Sequence, residues 1–177
     1  AEAMSLAEQR QWRPAVERMS EALRIHRTLP GGTAELKNIK ERAYQYYLAR
    51  AQEELAGGDL DGAEAEAQSA LSYLDTGREA KSLVQNVTNR RQATSLIANG
   101  RTLLAQGEPE EALRTFEKAQ AMYPSHAELP ALLAQARQAA CDRWIAQGRQ
   151  AMDAGQYPSA LRLFQKSRNL LKDYGGA

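Results

Sequence analysis

Apolar residues recur along the chain at the spacing of amphipathic helices, and breakers divide this pattern into segments. Side chains three and four positions apart share one face of a helix, so the recurrence predicts helices throughout and an all-α fold. The breakers are Leu29–Gly32, Gly57–Asp59, Asp75–Gly77, Gly107–Pro109, Pro124–Ser125 and Gly155–Tyr157. Thr33 and Asp61 have side chains suited to N-caps, and Tyr174–Gly176 is expected to fray.

The segments repeat with a nearly constant period. Four alanines, Ala15, Ala63, Ala112 and Ala160, are separated by 48, 49 and 48 residues. Neighbouring columns keep the same step, with Met19, Ala67, Phe116 and Phe164 four positions after the alanines and Trp12, Leu60, Pro109 and Tyr157 three positions before them. A fixed period with a hydrophobic face in each copy is typical of helical repeats that bury themselves against their neighbours.

Two copies share an order of glycine, alanine and aromatic residues. In one copy the residues are Gly100, Gly107, Ala112, Phe116, Ala119 and Pro124, and in the next they are Trp144, Gly148, Ala160 and Phe164. This order resembles the tetratricopeptide repeat, a helix–turn–helix unit. The resemblance implies an α-solenoid of antiparallel helical hairpins with a right-handed superhelix. The residues expected to pack the repeats are Trp12, Ala15, Ala63, Gly100, Gly107, Ala112, Phe116, Ala119, Trp144, Gly148, Ala160 and Phe164.

The period is longer than that of the family, whose repeat is about 34 residues. The excess of about 14–15 residues is about four whole helical turns, after which the side chains of a helix point in the same direction again. Because breakers follow each second helix, we expect the extra length in the next first helix, giving roughly 22–29 residues there against roughly 14 in second helices. We predict one repeat domain over residues 1–177, with a partial repeat at 1–30 and repeats at about 33–75, 78–124 and 126–172.

Charge and cysteine content exclude several classes of protein. The net charge is +1, with 9 Lys and Arg against 13 Asp and Glu in residues 1–77 (−4) and 14 against 9 in residues 78–177 (+5). A balanced chain of this kind has no field that would attract nucleic acid, so no nucleic-acid partner is expected. No apolar run is long enough to cross a membrane, so membrane insertion is not expected either. Cys141 is the single cysteine, which excludes an internal disulfide.

Candidate catalytic and metal-binding residues do not converge in the sequence. His26 and His126 lie far apart and outside any metal-binding motif. Cys141 lies within a helical segment without a neighbouring base, and burial as a small hydrophobe is the simpler interpretation. Glu110 and Glu111 open a helix, where negative charge complements the helix dipole. We therefore expect no catalytic residues, no cofactor and no metal, and hence a protein that is not an enzyme.

The resemblance also indicates where a partner would bind. In tetratricopeptide proteins the first helices line the concave surface. The corresponding stripe here is expected to contain Gln45, Leu48, Gln52, Arg90, Thr94, Ile97, Arg101, Asp142, Ile145 and Arg149. One column of it reads Gln52, Arg101 and Arg149, and two arginines on adjacent units would clamp a carboxylate of a peptide. The Lys and Asn columns of the family's carboxylate-clamp subclass hold Leu, Ile and Ala here, so that specificity is not expected.

The sequence predicts a scaffold that binds a protein or peptide, as a module of a larger protein with a truncated N-terminus and a cytoplasmic location. Two alternatives remain open at this point. One is a structural module that self-associates or packs on neighbouring domains of the parent chain. The other is a sensory or regulatory domain of an attached enzyme.

Overall fold

The described part of the chain is entirely helical apart from its turns. The structure is a computed structural model that describes residues 2–174, with side chains described as far as residue 172. Within that range the chain has no strand and eight α-helices: α1 Glu2–Glu8, α2 Trp12–Ile25, α3 Gly32–Gly57, α4 Leu60–Tyr73, α5 Arg78–Ala105, α6 Pro109–Met122, α7 Leu129–Asp153 and α8 Tyr157–Tyr174. The all-α prediction is confirmed. Gly175 and Gly176, where fraying was expected, lie outside the described residues.

Long and short helices alternate as the breakers predict. The long helices α3, α5 and α7 have 26, 28 and 25 residues. The short helices α2, α4 and α6 have 14 residues each, whereas α8 has 18. The extra length of each repeat therefore lies in the long helices.

The two expected N-caps are displaced by two residues. Helix α3 is capped by Gly31, which has a φ of 76°, and Thr33 lies within the first turn. Helix α4 is capped by Asp59, whose carboxylate accepts hydrogen bonds from the backbone N–H groups of Asp61 and Gly62, at 3.1 and 2.9 Å. The predictions for Thr33 and Asp61 are wrong because these helices begin directly after the preceding turn and leave no room for a linker.

The chain divides into two compact units, residues 1–88 and residues 89–177, and α5 crosses the division. The first unit contains two cores. One joins α1, α2 and the start of α3 through Ala3, Ala7, Trp12, Ala15, Met19, Ile39 and Ala43. The other joins the end of α3, all of α4 and the start of α5 through Tyr44, Leu48, Ala51, Ala63, Ala67, Ala70, Ala80, Leu83 and Val87. The two halves of α3 thus serve different cores.

The second unit repeats this arrangement. Its core joins α5, α6 and the start of α7 through Ala93, Ile97, Ala112, Leu113, Phe116, Ala119, Leu129, Leu133 and Ala136. The end of α7 packs on α8, and the Cys141 thiol lies 3.7 Å from the backbone carbonyl oxygen of Ser167. Each core in both units is therefore a three-helix layer, by which we mean one short helix held between the end of one helix and the start of the next long helix.

The repeat columns occupy the positions expected of packing residues, with few exceptions. Ala15, Ala63, Ala112 and Ala119 are completely buried, and Trp12, Phe116 and Ala160 are nearly or fully so. Gly100 and Gly148 face the rings of Phe116 and Phe164. Gly107 is exposed and makes the turn between α5 and α6 with a φ of 76°. Trp144 and Phe164 are only half-buried, because α8 has no third helix packed on it within the described residues of the second unit.

Candidate functional site

The predicted partner stripe is partly buried, and it must be corrected at two positions. Leu48 is 3% exposed and Ile97 is 4% exposed. Leu48 lies four residues after Tyr44 and three before Ala51, so all three share the helix face that packs on α4. Ile97 lies four residues after Ala93, on the same helix face, and both lie in the core of the second unit. The expected exposure of Leu48 and Ile97 is wrong because this column belongs to the core.

The two arginines of the Gln52 column, Arg101 and Arg149, do not lie side by side. The Arg101 Nη2 atom is 2.6 Å from Oε2 of Glu128, the residue that precedes α7, and both side chains are about half exposed. Arg149 lies near the other end of α7, and residues 129 to 149 span about 30 Å of helix at 1.5 Å per residue. The start of α7 therefore occupies the place beside Arg101 where Arg149 was expected. A clamp in which both arginines hold one carboxylate is ruled out by this distance.

Of the remaining stripe residues, some are exposed and others contact neighbouring side chains of the same unit. The Arg90 guanidinium lies over the Tyr123 ring, with 4.8 Å to the ring centroid, so it is used in packing within the second unit. Asp142 accepts a hydrogen bond of 2.9 Å from the side-chain amide of Gln138. The exposed members are Gln45, Gln52, Thr94, Arg101, Asp142 and Arg149, whereas Arg90 and Ile145 are half-buried.

An aromatic and arginine cluster in the first unit was not predicted from the sequence. The ring centroids of Trp12 and Tyr46 are 5.8 Å apart, those of Tyr46 and Tyr47 are 5.2 Å apart, and those of Tyr47 and Tyr73 are 5.6 Å apart. Arg10 and Arg50 lie over the Tyr46 ring at 5.3 and 5.9 Å, and Arg42 lies over Trp12 at 5.6 Å. These contacts join α2, α3 and α4. The only sequence signal for the cluster is the run of tyrosines from Tyr44 to Tyr47.

Tyr73, at the end of α4, lines two cavities, and so does Lys40. One has a volume of about 390 Å³ and is lined by Thr33, Leu36, Lys37, Lys40, Glu41, Tyr73 and Leu74. The other has a volume of about 370 Å³ and is lined by Arg13, Val16, Glu17, Lys40, Ser72 and Tyr73. We call the surface formed by these residues the Tyr73 groove. Its walls combine aliphatic and aromatic side chains with a rim that includes Lys37 and Lys40.

The ionisation of Tyr73 is shifted by its surroundings. Burial raises the pKa of the Tyr73 phenol above its usual value of 10.0, and the neighbouring Tyr47 raises it further. The phenol therefore remains neutral at physiological pH and can both donate and accept a hydrogen bond. Across the groove, the Arg13 Nε atom lies 3.0 Å from Oε1 of Glu17 in an exposed ion pair. That pair occupies the arginine, which leaves the two lysines as the principal cations of the rim.

A cavity lined by charged side chains, with a volume of about 410 Å³, lies in the second unit. It is lined by Glu108, Glu110, Glu111, Arg114, Arg143 and Lys166. Arg143 donates to the backbone carbonyl of Gly107 at 2.7 Å and to the carboxylate of Glu110 at 3.2 Å. These bonds connect α7 to the turn between α5 and α6. The cavity is therefore a charged junction in which opposite charges lie close together.

Residues considered for metal or thiol chemistry are dispersed. His126 accepts a hydrogen bond at Nδ1 from the Glu128 backbone N–H at 3.3 Å, and His26 is exposed in the first unit. Cys141 is 1% exposed, as expected of a small hydrophobe. Across residues 2–174, no three His, Cys, Asp or Glu side chains are grouped as metal ligands. Of the helices described, none has the length and apolar character needed to cross a membrane.

No protein-family model matches the chain, and no curated protein matches it.

Proposed function

We propose that the chain is a non-catalytic protein-interaction scaffold of the tetratricopeptide-like kind, with the Tyr73 groove as its binding surface for a peptide segment of a partner. Three observations support the repeat interpretation: the alternation of long and short helices, the three-helix layers, and the Gly100–Phe116 and Gly148–Phe164 pairs. A right-handed solenoid that continues these layers is part of the same proposal.

The Tyr73 groove is the single observation that carries the assignment. Tyrosine, tryptophan and arginine are the residues most enriched at the energetic centres of protein interfaces, and the groove lies beside a cluster of all three. The ring of Tyr73 is held by the stacked Tyr47 ring, so it offers a rigid surface with little conformational entropy to lose. A groove of this size is suited to one or two apolar side chains of a peptide.

The charge of the rim indicates the chemistry of the peptide. Lys37 and Lys40 line the wider cavity together with a single carboxylate, that of Glu41. A peptide with apolar residues next to carboxylates would match both the floor and the rim. The Tyr73 groove replaces the predicted partner stripe as the proposed binding surface. In that stripe Leu48 and Ile97 are buried, and Arg101 and Arg149 lie far apart.

Selection of displayed peptides on the immobilised protein tests this assignment while the partner is still unidentified. We expect the wild-type protein to enrich peptides that combine aromatic or aliphatic residues with Asp and Glu. Lys37→Glu with Lys40→Glu should remove that enrichment. The matched control is Lys81→Glu with Lys118→Glu, two exposed lysines outside the groove, and it should enrich the same peptides as wild type. Equal enrichment by both double variants would exclude the Tyr73 groove as the binding surface.

A further inference from the structure

The turn before α2 holds an arginine where the other three copies of the repeat hold glycine. Arg10 stands in the column of Gly58, Gly107 and Gly155, and all four residues have a left-handed φ, between 59° and 87°. Glycine adopts this conformation without strain, whereas a residue with a side chain does not. Backbone strain of this kind is typical of positions where the side chain has a function. The contacts of Arg10 indicate which function that is.

The Arg10 guanidinium is one of three that lie on two contacting aromatic rings. Arg10 and Arg50 lie 5.3 and 5.9 Å from the centroid of the Tyr46 ring. Arg42 lies 5.6 Å from the centroid of the Trp12 ring, which is itself 5.8 Å from that of Tyr46. We call Arg10, Arg42 and Arg50, all of them exposed, the arginine cluster. Three positive charges therefore lie close together on one surface of the first unit.

The carboxylates near this surface compensate only one of the three charges. Oε1 of Glu66 is 2.8 Å from Nη2 of Arg50, and Glu54, one turn further along α3, also attracts Arg50. Among the described residues, Arg10 and Arg42 make no ion pair. A guanidinium has five N–H donors in a planar fork that matches the oxygens of a carboxylate or a phosphate. The arginine cluster therefore favours an oxyanion as its ligand.

A row of tyrosine rings connects the arginine cluster to the Tyr73 groove. The centroid of the Tyr47 ring lies 5.2 Å from that of Tyr46 and 5.6 Å from that of Tyr73. The rings of Tyr46 and Tyr73 are therefore no more than about 11 Å apart, the sum of these two distances. All three rings are half-buried and thus partly open to solvent. Because an extended peptide rises about 3.3 Å per residue, a peptide anchored at Tyr73 reaches Tyr46 within about three residues.

We propose that the arginine cluster binds an oxyanion of the peptide that occupies the Tyr73 groove, about three residues from the apolar anchor. The oxyanion is a side-chain carboxylate or the phosphate of a phosphorylated side chain. This assignment rests on the proposed function and adds to it an anionic subsite at a defined spacing. The aromatic rings already hold the guanidiniums in place, so little side-chain entropy is lost when the oxyanion binds.

Fluorescence anisotropy with labelled nine-residue peptides tests the subsite. The first peptide has phenylalanine at its centre, aspartate directly after it and serine elsewhere. In the second and third, the serines three positions before and after the phenylalanine are replaced by glutamate or by phosphoserine. We expect an anionic peptide to bind the wild-type protein about three- to tenfold more tightly than the first, and this gain to shrink as salt is raised. A gain with phosphoserine alone assigns the subsite to a phosphorylated segment, whereas a gain with glutamate as well shows that a carboxylate is sufficient.

Arg10→Gly separates recognition from folding. This variant lacks the guanidinium but has the residue that the other copies use at this turn, so the urea midpoint of the first unit should not fall. Most of the affinity gain of the anionic peptides should nevertheless be lost. The matched control is Arg27→Gly, which removes one positive charge from an exposed turn at the other end of α2 and should keep the gain.

The outcomes distinguish this subsite from the Tyr73 groove itself. Equal affinities of all three peptides would overturn the subsite, and so would retention of the full gain by Arg10→Gly. If Lys37→Glu with Lys40→Glu abolished binding in that case, the Tyr73 groove would stand without the subsite. Failure of every peptide to bind would overturn both proposals. A concentration-dependent mass in sedimentation that Arg10→Gly abolishes would then assign the surface to a second copy of the chain.

Discussion

Replacement of Gly100 by alanine tests the close approach of helices on which the repeat depends. A Cβ atom at Gly100 would lie 2.8 Å from both Cδ1 and Cζ of Phe116, a distance that real side chains do not tolerate. Phe116 is fully buried, so its ring has no free space into which to move. The matched substitution is Gly148→Ala, where the added Cβ would lie 2.7 Å from Cε1 of Phe164. Phe164 is half-buried, and its ring can swing toward solvent.

The expected magnitudes follow from two opposing effects. Alanine is favoured over glycine inside a helix by about 1 kcal/mol, whereas an overpacked core costs about 1–3 kcal/mol. At Gly100 we expect the upper part of that cost, and hence a net loss of about 2 kcal/mol in the free energy of unfolding. At Gly148 the ring relaxes, and we expect a change between zero and a gain of about 1 kcal/mol. The two variants should differ by about 2–3 kcal/mol.

Urea denaturation monitored by tryptophan fluorescence measures this difference. The chain has two tryptophans, Trp12 in the first unit and Trp144 in the second. In a Trp12→Phe background the signal reports on the second unit, which contains both glycines. Addition of Phe116→Leu to Gly100→Ala should recover part of the loss, because a smaller side chain relieves the contact. Equal stabilities of the two alanine variants would refute the packing argument.

The remaining predictions concern a cap, a titration and a thiol. Asp59→Ala should lower the free energy of unfolding of the first unit by about 1 kcal/mol, whereas Asp59→Asn should retain most of it, as urea denaturation would show. The raised pKa of Tyr73 implies that the folded state favours the neutral phenol. The first unit should therefore lose stability as the pH rises above 10.0. Tyr73→Phe should reduce that loss, as denaturation curves recorded on both sides of this pH would show. Cys141 should react with an aromatic disulfide reagent only as the second unit opens, so the rate followed by absorbance should rise in Gly100→Ala.

Much of the fold is predictable from the sequence because its signals are local. Glycine and proline breakers define the helix order, and the spacing of Ala15, Ala63 and Ala112 predicts their burial. Even the turn geometry is periodic, since Arg10, at the position held by glycine in other copies, keeps a left-handed φ of 59°. An arginine accepts that conformation at a cost of about 1–2 kcal/mol, which indicates that the surrounding helices determine the turn.

The candidate surfaces are less predictable because they depend on contacts between distant residues. The Tyr73 groove brings together residues of α2, α3 and α4, and no periodicity relates Arg13, Leu36 and Tyr73. The stripe prediction is wrong at Leu48 for a different reason. It used the register of a shorter repeat, in which first helices lie side by side along their length, whereas the residue that precedes α7 here pairs with Arg101, four residues before the end of α5.

The added length of about four turns determines which faces of the short helices are covered. It allows α7 to cover α6 with Leu129 and Leu133 and then to pack on α8 beyond Cys141. A short helix is therefore buried by two different long helices, the one that precedes it and the one that follows. An apolar column such as that of Leu113 and Leu161 is suited to this second contact, and it is exposed wherever the second contact is absent.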